Sequence, residues 1–164
     1  EMAKCCPAKL AVTLGSMSAC AAVRIALSTA DMLDRAFLYG FGLIEAAQIK
    51  AQYPMLHVVG DIADAPQRPE AVVRAARETG LFGLRACPES LTPALLEECR
   101  QGGLATVSTE TSDIDELERL LALGVNFIET ARPDRAYSFL PPRPAVPRES
   151  GDEAHGWEPA GRRG

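Results

Sequence analysis

The chain has 164 residues, of which 47% are hydrophobic, 5% aromatic and 24% charged, with a formal net charge of -5. A chain of this length holds one domain with a core, burying roughly 70% of its unfolded surface, and the composition excludes a disordered or fibrous protein. The acidic balance excludes the basic footprint of a nucleic-acid binder, and no window approaches the roughly 20 uninterrupted apolar residues of a membrane-spanning helix.

From Leu10 to Thr130 short apolar runs alternate with amphipathic stretches, the pattern of βα units around a parallel sheet. The first strand is expected at "KLAVTL" (9–14), followed by the longest helical candidate, 16–35, with Ser18 as its cap and Ser28-Thr29 as a break. "AFLYGF" (36–41) is the second strand, and "GLIEAAQIKAQYP" (42–54) an amphipathic helix closed by Pro54. "MLHVVG" (55–60) is the third strand, in which His57 reads as a hydrogen-bonded sheet histidine. In the helix at 68–80, Val72, Val73 and Ala76 point inward, Arg74 and Arg77 outward, and Gly80 is the stop. "LFGLRA" (81–86) is the fourth strand. Thr92 then caps a helix with Pro93 in its first position and Gly102 or Gly103 as the left-handed stop. "LATVST" (104–109) is the fifth strand. Asp113 and Glu116 form a carboxylate variant of the capping box for a helix that buries Leu117, Leu120, Leu121 and Val125 and ends at Gly124. "VNFIET" (125–130) is the sixth strand. These runs are nearly continuous in apolar residues, as expected of strands covered on both faces.

After Asp134 the periodicity ends. The stretch 140–164, with Pro141, Pro142, Pro144, Pro147 and Pro159, carries too little apolar surface to offset its ordering entropy and reads as a disordered tail to a domain over 1–139. "PPRPAVP" within it is a match to a polyproline docking element, and His155 is a solvated tail residue. The five cysteines, Cys5, Cys6, Cys20, Cys87 and Cys99, include no C-x-x-C pair, so they read as buried or free thiols in a reducing, cytoplasmic compartment rather than zinc ligands. No signal peptide is visible. A chain that opens on Glu1 instead of Met is expected to be a truncation.

Six strands and five helices in units of about 20 to 25 residues have the rhythm of a TIM barrel, which takes about 250 residues in full. The expected fold is therefore α/β, a partial TIM (β/α) barrel made of its C-terminal five or six βα units. The alternative is an open doubly wound parallel sheet, whose dinucleotide-binding form is excluded because "LGSMSA" (14–19) lacks G-x-G-x-x-G and no P-loop lysine follows.

The stretch "LTPALLEECRQGGLATVSTETSDIDELERLLALGVNFIETARPD" (91–134) resembles the C-terminal end of the glycerophosphodiester phosphodiesterase family of TIM-barrel enzymes. Gly103-Leu104 opens the penultimate strand, Thr109 stands at that family's threonine, and Gly124-Val125 opens the last strand. Ile128 and Thr130 keep its apolar and hydroxyl positions, and Pro133-Asp134 closes it. The stretch "AFLYGFGLIEAAQIKAQYPMLHVV" (36–59) is similar to the family in layout. The resemblance implies hydrolysis of a glycerophosphodiester to an alcohol and glycerol phosphate. Ca²⁺ or Mg²⁺ would polarise the phosphate, and two histidines would act as acid and base.

The departures from that pattern are chemical. Ser108 replaces the family's tryptophan, Glu110 its valine, Thr111 its asparagine, and Asn126 and Ala131 its aspartates; Thr13-Leu14-Gly15 stand where it carries Glu-x-Lys. Its His-Arg-Gly motif, Glu-x-Asp metal pair and second histidine belong to an N-terminal half, and neither His57 nor His155 stands in such a motif. Glu129 followed by Ala131 resembles half of the Glu-x-Asp pair, yet a lone carboxylate is a poor cage for a hard cation. No catalytic residue and no metal ligand is therefore expected from this chain.

Barrel enzymes draw their reacting groups from the C-terminal ends of strands. That rule selects Asp61, Arg85, Thr109, Glu110 and Glu129, with Arg85, Thr109, Glu110 and Glu129 as substrate-binding residues. Arg85 either offers its planar fork to a phosphate or pairs with a neighbouring carboxylate. The chain is thus expected to be the C-terminal portion of a phosphodiesterase-like hydrolase that is inactive alone, or else a degenerate binding or assembly module. Half a barrel leaves two strand edges and an apolar inner face, so an oligomer, or dependence on the missing half, is also expected.

Overall fold

The computed structural model describes residues 9–139. Cys5, Cys6, His155, the "PPRPAVP" element and the whole stretch 140–164 lie outside the described residues.

Six parallel strands are joined in sequence order into one sheet. They are β1 (Leu10–Thr13), β2 (Ala36–Gly42), β3 (Val58–Asp61), β4 (Gly83–Ala86), β5 (Ala105–Ser108) and β6 (Phe127–Ile128). The helices between them are α1 (Cys20–Thr29), α2 (Leu43–Gln52), α3 (Pro69–Glu78), α4 (Pro93–Gly102) and α5 (Ile114–Ala122), and a single turn, α6 (Pro133–Ala136), follows the last strand. A doubly wound sheet reverses its strand order at a switch point; here the order never reverses, so the sheet is a curled half-barrel with helices alternating along it. That is part of a TIM barrel.

The side chains alternate accordingly. Leu38, Val58 and Leu84 point outward into the main core, where Ala46, Ile49, Val73, Ala76, Leu95, Leu96, Cys99 and Leu120 of the helices cover them. Phe37, Val59 and Val107 point to the concave side and form a second cluster with Tyr39, Phe82 and Phe127, to which no helix contributes. The concave face is closed by its own rings. Phe37 of β2 lies 4.9 Å from Phe127 of β6 and 5.8 Å from Phe82, centroid to centroid. Such pairs add about 0.5–1.5 kcal/mol each beyond the area they bury.

The strands are shorter than their apolar runs, for identifiable reasons. Before β3, Leu56 donates to Tyr53 O at 3.0 Å in a turn that Lys50 Nζ fastens through Pro54 O (2.6 Å) and Leu56 O (3.0 Å). His57 therefore precedes the strand, with Nδ1 3.3 Å from Ala36 O and its ring 5.1 Å from Phe82. Before β6, Asn126 Oδ1 accepts from Thr106 N (2.9 Å) and Thr106 Oγ1 (3.0 Å), so a side chain replaces the backbone ladder.

The helix ends follow the sequence at most positions. Thr92 Oγ1 accepts from Leu95 N and Asp113 from Asp115 N and Glu116 N, as capping requires. The capping box at Asp113 is not closed, however: Glu116 bonds Arg119 instead, and Asp113 N donates to Thr111 Oγ1 at 3.3 Å. The predicted 16–35 helix is also divided. Ser16, not Ser18, accepts at the head of a 3₁₀ turn, and α1 ends at Thr29, at the expected break, with Asp31 left-handed at φ 56°. Met32 N then donates to Leu27 O and Asp31 N to Ser28 O, the paired bonds that end a helix in a left-handed residue.

Candidate functional site at the strand C-termini

The parallel register brings four polar or aromatic side chains to one end of the concave face. Asp61 closes β3 directly opposite Arg85 of β4, and Arg85 is paired with Val107 of β5, which is paired with Phe127 of β6. Glu129 lies two residues beyond Phe127 and so returns to the same face. Arg85 can therefore reach a carboxylate on either side.

It does so. Nε donates to Glu129 Oε1 at 2.8 Å and Nη2 to Oε2 at 3.1 Å, a bidentate fork, while Nη1 donates to Asp61 Oδ2 at 3.0 Å. The guanidinium carbon lies 4.9 Å from the centre of the Tyr39 ring. The side chains of Arg85, Asp61 and Glu129 are 18%, 29% and 29% exposed, so water screens the cluster only in part. Burial pushes the Asp61 carboxyl above the ordinary aspartate range, and the facing Arg85 opposes this. The hydrogen bonds that Arg85 donates to Glu129 hold its guanidinium above its usual value. Glu129 is thus the closer partner of Arg85 and Asp61 the surplus charge.

Of the residues selected from sequence, Asp61, Arg85 and Glu129 meet in this cluster. Thr109 sits one residue beyond β5, half-buried, with its N-H donating to Ala86 O at 2.8 Å. Glu110 is exposed on the next loop and makes none of the Arg85 bonds. Tyr39 was not singled out, although alternation in "AFLYGF" puts it on the face of Phe37.

Below the cluster, a cavity of about 540 Å³ runs between the two outer strands of the described sheet, lined by Lys9 and Ala11 on the β1 side and by Phe127, Ile128 and Glu129 on the β6 side. His57 stands before the start of β3 and Asp61 at its end, about 13 Å away at ~3.3 Å per residue, so the histidine is at the wrong end of the sheet to exchange a proton with anything at the cluster.

The donor set does not fit a divalent cation. Asp61 and Glu129 already share one guanidinium; Asp61 Oδ1 is the buried side-chain oxygen left without a hydrogen-bond partner among the described residues. No group of three or more His, Cys, Asp or Glu is arranged among those residues to hold a metal ion. Hard cations of this kind take about six oxygens.

No family model matches the chain, and no curated protein matches it. Solved structures do. A candidate glycerophosphoryl diester phosphodiesterase from Silicibacter pomeroyi superposes with a TM-score of 0.68 at 20% identity, over 80% of this chain and 50% of its own. A candidate glycerophosphodiester phosphodiesterase from Galdieria sulphuraria gives 0.67 at 17%, over 80% and 56%. An Oleispira antarctica phosphodiesterase, solved with its product sn-glycerol-3-phosphate, gives 0.55 at 15%, over 70% and 48%. The chain spans about half the length of these proteins, and among its described residues no helix is long and apolar enough to cross a membrane. Its described residues share their fold with about half of each of these phosphodiesterase barrels.

Proposed function

We propose that this chain is the C-terminal portion of a glycerophosphodiester phosphodiesterase-like hydrolase of lipid or glycerophosphodiester metabolism, and that it does not turn over substrate alone. One observation carries the reading: Gly103-Leu104 and Gly124-Val125 lead into β5 and β6, and Pro133-Asp134 begins the turn α6 that follows, an arrangement that resembles that family's final units. The substrate would be a small phosphodiester, in keeping with the glycerol phosphate product of the Oleispira enzyme. Arg85, Thr109, Glu110 and Glu129 would face it from the strand ends. The histidine pair and the Ca²⁺ or Mg²⁺ site of an intact enzyme would come from elsewhere, since the carboxylates here are committed to Arg85.

The test is hydrolysis of glycerophosphocholine by this chain and by one extended upstream with a first half that carries the two histidines and the metal pair. The expected result is no release of glycerol phosphate by the chain alone and chelator-sensitive release by the extended chain. Chelator-sensitive hydrolysis by the chain alone would overturn the claim of incompetence. An extended chain that folds and stays inactive would favour the second reading, a degenerate binding or assembly module.

A further inference from the structure

We infer that the Asp61–Arg85–Glu129 cluster is an autoinhibitory contact, in which the chain's own carboxylates occupy Arg85 at the barrel mouth and so close it to anions. All three guanidinium nitrogens are engaged, Nε and Nη2 by Glu129 and Nη1 by Asp61. The Tyr39 ring lies 4.9 Å from the guanidinium carbon and limits approach from that side. The three charges sum to -1, and Glu110 on the adjoining loop adds a further negative charge. A phosphate therefore meets repulsion where an unpaired strand-end arginine would attract it, and it would have to displace a bidentate partner to gain a bond of the same kind.

The contact is also held by position. Asp61 ends β3, Arg85 lies within β4, and Glu129 follows β6, so the fork passes over β5 and ties the short last strand to the middle of the sheet. Withdrawal of either carboxylate would free part of the guanidinium, Nη1 from Asp61 or Nε and Nη2 from Glu129. The structure holds the self-neutralised state, and the inferred contact implies a second in which Arg85 accepts an anion. This inference concerns binding by the chain as it stands. It does not rest on the phosphodiesterase reading, because no turnover is measured and either can fail without the other.

The probe is inorganic phosphate, titrated at neutral pH and constant ionic strength against the full chain and against D61N/E129Q, which keeps the side-chain volumes and removes both negative charges. Binding is followed by calorimetry and by the Arg85 Nε-H resonance. The expected result is at least tenfold tighter binding of phosphate by the double variant, lost again in R85A/D61N/E129Q. Should the double variant not melt cooperatively, D61N alone, which leaves the Glu129 fork in place, is expected to gain at least threefold. Equal affinity of the unaltered chain, no gain in the variant, or a gain that survives loss of Arg85 would each overturn the inference.

Discussion

The two carboxylates that share Arg85 should differ sharply in what they contribute to the fold, and the difference can be worked from their geometry. Glu129 accepts two charge-assisted bonds from the guanidinium, whereas Asp61 accepts one and is penalised by its burial. A hydrogen bond to a charged group is worth about 1.5–3 kcal/mol when its partner is removed. Glu129→Gln keeps one acceptor and loses the charge, so it should cost about 1–2 kcal/mol, lowering a urea midpoint by on the order of 1 M. Asp61→Asn gives up one charge-assisted bond but relieves a half-buried surplus charge, and should change stability by less than about 0.5 kcal/mol at neutral pH. The pH dependence follows from the same shift. A carboxyl raised in the folded state contributes stability that is fully present below its unfolded pKa and is lost as pH rises through the folded one. Relative to Asp61→Asn, the unaltered chain should therefore be favoured at about pH 4 and lose that advantage towards neutrality. Urea titrations of both variants across that range provide the measurement. Equal costs for the two substitutions, or a relative stability that rises from acid to neutral pH, would refute the assignment of Asp61 as the surplus charge.

Three further outcomes are expected. A Cβ at Gly83 would overlap the Ala105 carbonyl oxygen, a backbone atom that cannot swing aside, so Gly83→Ala should separate β4 from β5 and cost about 2 kcal/mol or more in a denaturant titration. Burial pushes the Cys99 thiol up to about 11, and Cys99 and Cys20 are both fully covered, so mass spectrometry should find neither alkylated at mildly alkaline pH until the chain is unfolded. The edges of β1 and β6, which pair with no further strand among the described residues, should drive self-association, seen in light scattering as a mass above that of one chain; a clean monomer with a cooperative melt would count against it.

Most of the outward half of this structure was legible in the sequence, because strands covered on both faces write themselves as apolar runs and Gly80, Gly103 and Gly124 end their helices with the same pair of bonds. Asp31 ends α1 with that pair and no glycine, so only the expected break at Ser28-Thr29 marks this end in the sequence. The strand ends escaped for a different reason. Lys50 and Asn126 intercept backbone groups with side-chain bonds that depend on residues brought close only by folding, and no local pattern records them. At the site, strand-end position sufficed to select Asp61, Arg85 and Glu129. That they would bind one another needed the register, since Arg85 and Glu129 are 44 residues apart in the chain. Tyr39 was visible as alternation but not as a partner, because an aromatic ring on a concave face reads as core until a cation is seen against it.

The strictly sequential strand order also bears on how the chain reaches this state. Each strand pairs with the one that leaves the ribosome next, so the sheet can be built one βα unit at a time, with loop closures of modest length at every step. The contacts that escape this rule are those across the concave face, Phe37 with Phe127 and Arg85 with Glu129, which must wait for β6. The curl of the sheet is therefore the last thing the nascent chain acquires, and substitutions at Phe127 or Glu129 should leave the early assembly rate nearly untouched while hastening unfolding.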